Sequence, residues 1–576
     1  MRRKQWRFAD PAPDSYITAF PDLPRPVAQT LYNRGYQEPG GARAFLDGVE
    51  PDQNPFNLRG MQEAVRRLRD AIRKGEPIVV YGDYDVDGVT ATALLVHMLH
   101  ALGAIVRPYI PDRFEEGYGV NAQALEKLAE GGARVVVTVD CGIRSHAETA
   151  LARKLGLDVI VTDHHEPAEP MPGAAAAIIC PRQPRCNYPT KSLAGVGLAY
   201  KLAQALYLVD QSTPTGKRRG ALTPDDLLDL VVLGTVADMA PLVLENRGLV
   251  RRGLQALNAT KRPGLRALFR AARIEMGRIS VDQLSYVVAP RLNAAGRLEH
   301  AMTSYSLLMT PQGDRAEALA AKLEDQNRRR QAMTDEALAA ARPFALAQLP
   351  DSRLIFVADH SYKSGVVGLV ANRLMEEFYR PAVVVEMGPE ESRGSGRSIP
   401  EINIVELLDK CKDLLVRHGG HRAAAGFTVR NDRLPQLEIR LRELVDALLP
   451  TAPAPTLGID AVLPLSDVSE PVWTAFERLA PFGQQNTSPV LATLGATVCD
   501  ARLVGVNHLK LIVADGSGNT REAIAFRRGE WLPNLPPVID IAYQLELNRW
   551  NGSVQAQMNI KDIRPSGADD SLSLDQ

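Results

Sequence analysis

The sequence has few cysteines, no long apolar run and no excess of either charge. Its five cysteines, in 576 residues, show no paired spacing, which favours a reducing compartment over a disulfide framework. No run of about 18 apolar residues occurs, and the basic start MRRKQWRFADPAP carries no apolar segment, so we expect neither a membrane span nor a secretion signal. These features together predict a soluble cytoplasmic protein.

The charge balance and the length limit the class of protein and the number of domains. There are 67 Lys and Arg residues against 68 Asp and Glu residues, so the chain lacks the strongly basic composition of many nucleic-acid-binding proteins. A site for a polyanion must therefore be a local basic patch. A chain of 576 residues is also too long for a single hydrophobic core, and several domains are expected.

Short β-rich segments alternate with helical segments from residue 77 and again from residue 346. Segments such as PIVVYGD, ARVVVTVD and LDVIVTD predict βαβ crossovers and a parallel sheet with helices on both faces. A Pro-rich linker at 448–458 precedes short strands with a hairpin signal at Trp550-Asn551-Gly552, a pattern typical of a small β-barrel. The predicted organisation is an N-terminal arm, extended with one short helix, at 1–55; a parallel-sheet α/β domain at 56–310; a long connecting helix at 311–345; a second α/β domain at 346–450; a C-terminal β-barrel at 455–565; and a disordered tail at 566–576.

Acidic residues follow the predicted parallel strands at the point where each strand ends. Asp83 and Asp85 come after PIVVYG, Asp140 comes after ARVVVTV, and the triplet 163–165, Asp-His-His, comes after LDVIVT. The carboxyl ends of parallel strands meet at one edge of a sheet, where ligands bind, so we expect these side chains to lie close together. Asp238, which ends the apolar helical run LLDLVVLGTVA, is the fourth acidic position.

Crowded carboxylates repel one another unless cations lie between them. The four carboxylates at 83, 85, 140 and 238 formally balance two dications, and His164 adds a nitrogen ligand that suits Mn²⁺. Asp140 stands alone at its strand end and is the expected bridge between two ions. Taken separately, Asp87-Gly88 is interpreted as a turn, and His164-His165 is equally compatible with a packed strand end.

The motifs DYDVDG, TVDCGI, TDHH and GTVADMAPL, in that order and on those elements, resemble the four motifs of the DHH phosphoesterase superfamily. HSYKSGVVGLVANRL, GSGRSIPEINI and RHGGHRAAAGF are similar to the DHH-associated domain, and LAPFGQQNTSPV resembles the start of its appended OB-fold. The resemblance implies an α/β fold: a parallel-sheet DHH domain, a long connecting helix, a second α/β DHH-associated domain and a C-terminal OB-fold β-barrel. It also implies a metal-dependent 5′→3′ exonuclease of DNA recombination and repair, which hydrolyses single-stranded DNA to 5′-mononucleotides with a water activated by two Mn²⁺ or Mg²⁺ ions.

The same resemblance assigns roles to individual residues. The implied metal ligands are Asp83, Asp85, Asp140, His164 and Asp238. His165 would lie beside the scissile phosphate and would stabilise charge there or donate a proton. This chain has Val79 and Tyr81 at two positions where many related sequences carry histidine.

Several loops and Gly-rich segments offer groups that can bind a strand away from the cut. They are Arg113 in IPDRFEEGYG, Arg291, Asn293 and Arg297 in APRLNAAGRLEH, Ser395 and Arg397 in GSGRSIP, and Gly420 and His421 in GGHRAAAGF. The resemblance implies that Arg113, Ser395 and Arg397 hold the 5′ end of the strand. For an arginine taken alone, a surface ion pair is the commoner role.

Two other functions remain open at this point. One is a small-substrate DHH phosphodiesterase that acts on oligonucleotides or cyclic dinucleotides, and the other is a catalytically silent DNA-replication scaffold. The implied partners are single-stranded DNA and, by resemblance, a single-strand-binding protein and a helicase, whereas no membrane partner is expected.

Overall fold

Residues 5–47 form one strand and three helices in the computed structural model, which describes residues 4–50, 53–113, 115–117, 119–550 and 553–567. The elements are β1 (Gln5–Phe8), α1 (Asp14–Thr18), α2 (Arg25–Asn33) and α3 (Pro39–Asp47). The expectation of an extended arm with one short helix is therefore wrong. Pro13 and Pro24 immediately precede α1 and α2, and Pro39 begins α3. Proline at a helix N-terminus removes no backbone hydrogen bond, so the prolines that argued against helices instead begin them.

A parallel sheet of five strands is formed by the described residues from 77 to 179, as the sequence predicted. The elements of this region are α4 (Met61–Lys74), β2 (Pro77–Gly82), α5 (Val86–Ala101), β3 (Ile105–Tyr109), α6 (Ala122–Glu130), β4 (Val135–Val139), α7 (His146–Lys154), β5 (Asp158–Thr162) and β6 (Ala177–Ile179). The strand order is β3-β2-β4-β5-β6. Every residue of β4 is buried, because helices cover both faces of the sheet.

Further helices complete the first domain. They are α8 (Gly195–Ser212), α9 (Leu228–Ala237), α10 (Leu244–Asn258), α11 (Pro263–Ala271), α12 (Val281–Gln283), α13 (Ala289–Leu298) and α14 (Met302–Met309). A π-helical turn at Leu284–Val288 joins α12 to α13. Helices α5, α8 and α9 are largely buried in one core, because they are apolar around most of their circumference.

The long connecting helix is α15 (Gly313–Gln348), which has 36 residues and continues through Pro343. Ala320 and Leu323 pack in the core of the first domain, whereas Ala341 and Ala345 pack in the core of the second domain. At 1.5 Å per residue the helix is about 54 Å long, so it holds the two domains at a defined separation. Within the described ranges, no helix combines the length and the apolar character that crossing a membrane requires.

The second domain places its Gly-rich strands towards the first. Its elements are β7 (Ile355–Asp359), α16 (Ser364–Phe378), β8 (Ala382–Glu386), β9 (Glu391–Arg397), α17 (Ile404–Asp409), β10 (Leu415–His421), β11 (Ala424–Arg430) and α18 (Leu434–Leu448). The sheet order is β10-β11-β9-β8-β7, with β7 and β8 parallel and the other pairs antiparallel. Ser395 and Arg397 lie on β9, and Gly420 and His421 end β10.

The C-terminal domain is the predicted β-barrel. Its elements are β12 (Thr456–Ile459), β13 (Ala461–Val462), α19 (Glu470–Glu477), β14 (Leu491–Val504), β15 (His508–Ala514), β16 (Thr520–Ala525), β17 (Val538–Trp550) and β18 (Ser553–Pro565). The order is β13-β14-β15-β16-β18-β17, and β14 also pairs with β17, which closes the sheet. Strands β17 and β18 pair antiparallel, as the hairpin signal predicted, while turn residues 551–552 and residues 568–576 of the predicted tail lie outside the described residues. The predicted linker, 448–458, runs into β12.

The N-terminal segment packs against this barrel. Strand β1 pairs in parallel with β12, and Phe20 lies in the same core as Leu511 of β15. Trp6 is 3% exposed, and its indole Nε1 donates a 2.8 Å hydrogen bond to Asp562 Oδ2 on β18. The N-terminal segment is therefore part of the folded barrel unit.

We expect Trp6→Phe to lower the free energy of unfolding of the barrel unit by about 1–3 kcal/mol. The aromatic ring still packs, but the Asp562 carboxylate loses its indole donor in a buried position. Thermal unfolding of the full chain measures the effect, and a double-mutant cycle with Asp562→Ala provides the control. If Trp6→Phe costs as much in the Asp562→Ala background as in the wild type, the hydrogen bond is not the cause.

Candidate metal centre and nucleic-acid interface

The carboxyl ends of β2, β4 and β5 bring the predicted acidic residues and both histidines together. Three groups of side chains each offer ligand atoms that all lie within 4.8 Å of one another: Asp83 with Asp85 and Asp140; Asp140 with His164 and His165; and Asp87 with His164 and Asp238. These residues are called the acidic cluster, and the cluster contains all five predicted metal ligands. Asp140 and His164 each belong to two groups, which is the arrangement that a ligand shared between two neighbouring ions requires.

The loop after β2 holds two carboxylates at fixed positions. Asp85 is the N-cap of α5, and its Oδ1 accepts a 3.0 Å hydrogen bond from the Gly88 N–H. A Cβ at Gly88 would lie 2.6 Å from the backbone nitrogen of Asp83, so only glycine lets α5 begin this close to the loop. The motif DYDVDG therefore positions its carboxylates by a helix cap and by a close backbone approach.

Asp140 lies at the end of β4 in a strained backbone conformation. Its φ angle is +63°, in the left-handed region that aspartate tolerates better than most residues. Helix α8 begins directly against it, since a Cβ at Gly195 would lie 2.6 Å from the Asp140 Cβ. Surrounding structure of this kind can hold a residue in a conformation that costs free energy, which is common at functional sites.

The electrostatics of the acidic cluster fit divalent cations. Burial, followed by the charges of Asp87 and Asp85, raises the pKa of Asp140 well above its usual range, and burial and Asp85 do the same to the pKa of Asp83. Among the described residues, Oδ1 of Asp83 and Oδ1 of Asp140 have no hydrogen-bond partner although both atoms are buried. Buried oxygens without partners are costly, and an oxygen-rich site with one imidazole suits Mn²⁺ or Mg²⁺.

His164 presents a neutral ring to the acidic cluster. Burial, and then the charge of His165, lowers the pKa of His164 to about 3. Its Nε2 lies 3.0 Å from Asp140 Oδ1 without forming a hydrogen bond to that atom, and its Nδ1 lies 3.8 Å from Asp238 Oδ2. A neutral imidazole between two carboxylates has a lone pair available for a metal ion.

His165 is oriented from two sides. Its Nδ1 lies 2.7 Å from Asp163 Oδ1, while Asp163 Oδ2 accepts a 2.9 Å hydrogen bond from the Ile143 N–H. Burial lowers the pKa of His165, but the hydrogen bond and the charge of Asp163 outweigh it and leave that pKa above its ordinary value. The ring of His421, from the second domain, stacks on His165 with the centroids 5.5 Å apart. Sequence reasoning had assigned Asp163 no separate role, and the structure identifies it as the residue that orients His165.

The interpretation of Asp87-Gly88 as a turn is wrong. Both residues lie in the first turn of α5, and the Asp87 carboxylate accepts hydrogen bonds from the N–H groups of Gly195 at 2.6 Å and Val196 at 2.8 Å. Burial, and then Asp85, raises the pKa of Asp87 to about 7. The sequence held a usable signal: a helix as apolar as α5 must be buried, so a charged residue in its first turn needs buried partners.

Four arginines form a second group, called the arginine group: Arg113, Arg297, Arg330 and Arg397. Of these, Arg113 interacts with Asp83 and Arg297 with Asp85 of the acidic cluster. Burial, followed by the charges of the other three, lowers the pKa of Arg297 to about 9. Burial, and then Arg113, lowers the pKa of Arg397. The Arg113 guanidinium also lies 5.1 Å from the ring centroid of Tyr84, between the first two aspartates of the cluster. Burial and the neighbouring arginines both disfavour the charge on Arg297, and a bound anion would offset both effects. Guanidinium groups also match the geometry of a phosphate.

Other predicted residues support this arrangement. Ser395 Oγ accepts a 2.9 Å hydrogen bond from Arg397 Nη1, and Asn293 Oδ1 accepts a 3.1 Å bond from the Val86 N–H next to Asp85. Gly420 has a φ of +151°, and a Cβ there would lie 2.3 Å from the Ala424 carbonyl oxygen, so glycine is needed at the end of β10 beside His421. The Ser395 and Gly420 contacts lie within the second domain, and the Asn293 contact fixes the start of α5 beside Asp85 in the first domain.

Arg291 is not brought into the arginine group. Its Nε donates a 2.6 Å hydrogen bond to Glu324 and its Nη1 donates to the Val287 carbonyl, so it ties α13 to α15. Arg330 from α15 joins the group instead, and sequence reasoning missed it. The run Arg328–Arg330 indicated a basic patch on α15, but only the packing of that helix decides which of the three side chains reaches the site.

A cleft of about 1140 Å³ separates the first domain from the second domain and the barrel. Two members of the arginine group, Arg297 and Arg330, line the cleft, and Tyr286 of the π-helical turn lines it as well. Trp473 and Phe482 line the barrel side, where both also pack against the barrel core. The cleft therefore runs from aromatic side chains to Arg297 and Arg330 of the arginine group.

Three segments of the chain match known families. Residues 77–235 match the DHH family, N-terminal domain; residues 351–449 match the DHHA1 domain; and residues 459–562 match the RecJ OB domain. The resemblance inferred from the motifs is confirmed in each of the three domains.

Whole-chain comparisons give the same result. The chain is 40% identical, over 552 residues, to the single-stranded-DNA-specific exonuclease RecJ of Bacillus subtilis (strain 168), and the match covers 94% of this chain and 68% of that protein. The crystal structure of RecJ in complex with Mn²⁺ from Thermus thermophilus is similar with a TM-score of 0.84 at 31% identity, covering 98% of this chain and 80% of that chain. The corresponding Mg²⁺ complex has a TM-score of 0.78 at 29% identity, with coverage of 98% and 79%.

Proposed function

Because this chain belongs to the RecJ family of single-stranded-DNA-specific exonucleases, we propose that it hydrolyses single-stranded DNA from the 5′ end and releases 5′-mononucleotides. The observation that carries the proposal is the adjacency of the acidic cluster and the arginine group, two members of which, Arg297 and Arg330, line the cleft. Cleavage next to a strand end requires both features. The carboxylates would hold the metal ions that act on the scissile phosphate. The guanidinium groups would hold the terminal phosphate at a fixed distance from the scissile one.

The cofactor is Mn²⁺ or Mg²⁺, and the proposed number of ions is two. Asp83, Asp85 and Asp140 would hold one ion. Asp140, His164 and Asp238 would hold the other, since the His164 ring lies 3.0 Å from an Asp140 oxygen and 3.8 Å from an Asp238 oxygen. When bound, the ions neutralise the carboxylates, stabilise charge on the phosphate and lower the pKa of a water that serves as the nucleophile.

His165 and the arginine group would act on the substrate directly. With its pKa raised by Asp163, His165 offers a positive charge and a proton to the oxygen that leaves the scissile phosphate. Arg113, Ser395 and Arg397 would hold the 5′ phosphate. Asn293 and Arg297 line the cleft, whereas Gly420 and His421 would contact the strand beside His165, on which His421 stacks. In this proposal Arg291 acts on DNA only indirectly, by holding α13 against α15.

Specificity for single strands is proposed to be steric. The barrel contacts the first domain beside the cleft, where the Leu242 N–H donates a 2.8 Å hydrogen bond to the Gln484 carbonyl, and this limits the opening. Family membership supports a role in DNA recombination and repair, with cytoplasmic location and with a helicase and a single-strand-binding protein as proposed partners. The intact acidic cluster argues against a catalytically silent scaffold, and the long cleft favours a polymer over a cyclic dinucleotide.

Digestion of 5′- and 3′-labelled strands tests the proposal. With Mn²⁺ we expect early release of 5′-labelled mononucleotide, slow shortening of 3′-labelled strands from the other end, and no hydrolysis in EDTA. Blunt duplex of the same sequence should be degraded far more slowly than the single strand. Release of the 3′ label first, or equal rates on duplex and single strand, would contradict the polarity or the steric explanation respectively.

Arg397→Ala should reduce kcat/KM on 5′-phosphorylated strands by about 10- to 100-fold, since a charge-assisted hydrogen bond is worth about 1.5–3 kcal/mol. The same variant should lose much less on strands with a 5′ hydroxyl, because that end makes no charged contact. Arg430→Ala is a suitable control, since Arg430 is exposed at the end of β11 and pairs with Asp432. Equal losses on both substrates would show that Arg397 does not read the terminal phosphate.

A further inference from the structure

Tyr286 is an exposed aromatic residue without a structural partner. Its relative exposure is 79%, and within the described part of the chain its ring makes no aromatic contact and its hydroxyl makes no hydrogen bond. It lies in the π-helical turn Leu284–Val288, and such turns are frequent at functional sites. Neither the fold nor the chemistry of the acidic cluster accounts for a tyrosine here.

The helical register places Tyr286 on the same side as two proposed DNA-binding residues, Asn293 and Arg297. Asp282, Tyr286, Asn293 and Arg297 all line the cleft. Steps of seven and eleven residues from Tyr286 return to nearly the same face of a helix, which explains why Asn293 and Arg297 share its direction. At 1.5 Å per residue, Tyr286 lies about 16 Å from Arg297 along the helix.

The opposite end of this helical segment touches the acidic cluster. Asn293 accepts a hydrogen bond from the Val86 N–H, and a Cβ at Gly296 would lie 2.7 Å from the Tyr84 carbonyl oxygen. Tyr286 is therefore separated by about 16 Å, along one wall of the cleft, from the end of the segment that lies beside the acidic cluster. That length equals about five nucleotides at the stacked spacing of 3.4 Å, and fewer in an extended strand.

The other aromatic residues of the cleft are already packed. Trp473 and Phe482 contact the barrel core, and the Arg34 guanidinium lies 5.8 Å from the Phe482 ring. Tyr286, by contrast, is largely exposed and lines the cleft from the first domain. Bases of single strands stack on exposed aromatic rings of this kind without sequence preference.

We propose that Tyr286 is a positioning residue that stacks on one base of the bound strand, within about five nucleotides of the cut. This inference rests on the proposed function and adds a contact that no phosphate-binding residue supplies. By holding the strand at a base, Tyr286 keeps the remaining DNA aligned with the cleft after each nucleotide leaves.

Binding to a 5′-phosphorylated, 3′-labelled oligothymidylate in EDTA, where no hydrolysis occurs, tests the contact. We expect Tyr286→Ala to weaken binding about tenfold, whereas Tyr286→Phe and Tyr286→Trp retain it, because stacking needs only an aromatic face. Phe344→Ala is the matched control, since Phe344 is an aromatic residue of α15 with 62% exposure outside the cleft lining. Unchanged binding by Tyr286→Ala would overturn the inference.

An abasic scan separates stacking from an indirect effect on the fold. When one of the first six nucleotides is made abasic in turn, the wild type should lose about tenfold in affinity at one position, and Tyr286→Ala should show no such position. A positional loss that persists in Tyr286→Ala would also overturn the inference. Hydrolysis of the same strand by the wild type with Mn²⁺ is measured separately, so failure of the proposed function and failure of the stacking contact remain distinguishable.

Discussion

Asp140→Asn is expected to reduce Mn²⁺-dependent hydrolysis of single-stranded DNA by about 1000-fold or more. Asp140 belongs to both groups of candidate ligands that meet at the end of β4, so its loss weakens two ion sites together. Two-ion chemistry supplies several kcal/mol of charge stabilisation in the transition state, and each 1.36 kcal/mol corresponds to tenfold in rate. Single-turnover rates at saturating enzyme measure the loss without interference from weaker DNA binding.

The same substitution should stabilise the metal-free protein. Because burial and neighbouring carboxylates raise the pKa of Asp140, its contribution to stability is complete only below the ordinary aspartate pKa and is lost as the pH rises through the folded-state value. Asparagine carries no charge to bury. In EDTA the Tm of Asp140→Asn should therefore exceed that of the wild type, by a margin that grows from about pH 4 upwards.

Asp351→Asn is the control for both measurements, because Asp351 is exposed beyond the end of α15. It should leave the hydrolysis rate and the Tm in EDTA unchanged. If Asp140→Asn kept most of the activity, Asp140 would not be the shared ligand. If its Tm in EDTA were lower than that of the wild type at every pH, the carboxylate would be stabilising the fold, contrary to its raised pKa.

His165→Ala is expected to lower kcat by about 10²- to 10⁴-fold, the range found for loss of a positioned proton donor. KM should change little if His165 acts mainly in the transition state. His418→Ala provides a matched control, because His418 lies 2.7 Å from Asp409, the same distance that separates His165 from Asp163. A similar loss of kcat in both histidine variants would point to a general effect on the fold.

The pH profile shows whether His165 acts as a proton donor. Asp163 raises the pKa of His165, so the protonated, active form persists to higher pH than an isolated histidine would allow. In Asp163→Asn this support is lost, and the decline of kcat on the alkaline side should begin at lower pH. Bound cations would shift both profiles in the same direction, so the comparison between variant and wild type is preserved. Identical profiles would show that the proton is supplied elsewhere.

The local sequence pattern was sufficient to predict that the acidic residues at the strand ends lie close together. Asp83, Asp85 and Asp140 follow apolar runs of five or six residues, which form adjacent parallel strands. Parallel strands necessarily end at one edge, so residues that follow different strands meet without any knowledge of side-chain packing. This is why four of the five candidate ligands, distant in the chain, were predicted together, whereas Asp238 follows the helix α9.

Local pattern failed where the partner is remote. Asp87-Gly88 has the composition of a turn, yet Asp87 is buried because the first N–H groups of α8 donate to it from more than a hundred residues away. The N-terminal prolines look like breakers until their positions at helix starts are known. In both cases a short stretch of sequence contains the residue itself but not the structural context that determines its role.

The arginines show the same limit in the functional site. The sequence does not distinguish Arg291 from Arg330. In the structure Arg291 forms an ion pair with Glu324, whereas Arg330 belongs to the arginine group. Which guanidinium is left for a phosphate depends on how α13 and α15 pack, and that packing depends on apolar contacts spread over two helices. Composition alone cannot distinguish a structural ion pair from an anion site.

The order of the strands, helices and acidic motifs could therefore be predicted from the sequence alone. Hydrophobic periodicity and the residue types that follow a strand are both visible within a few residues. The assembly of the arginine group, the orientation of His165 between Asp163 and His421, and the exposure of Tyr286 in the cleft were decided only by the tertiary structure. Each depends on contacts between elements that are remote in sequence. Burial and electrostatic coupling exist only once those elements have packed.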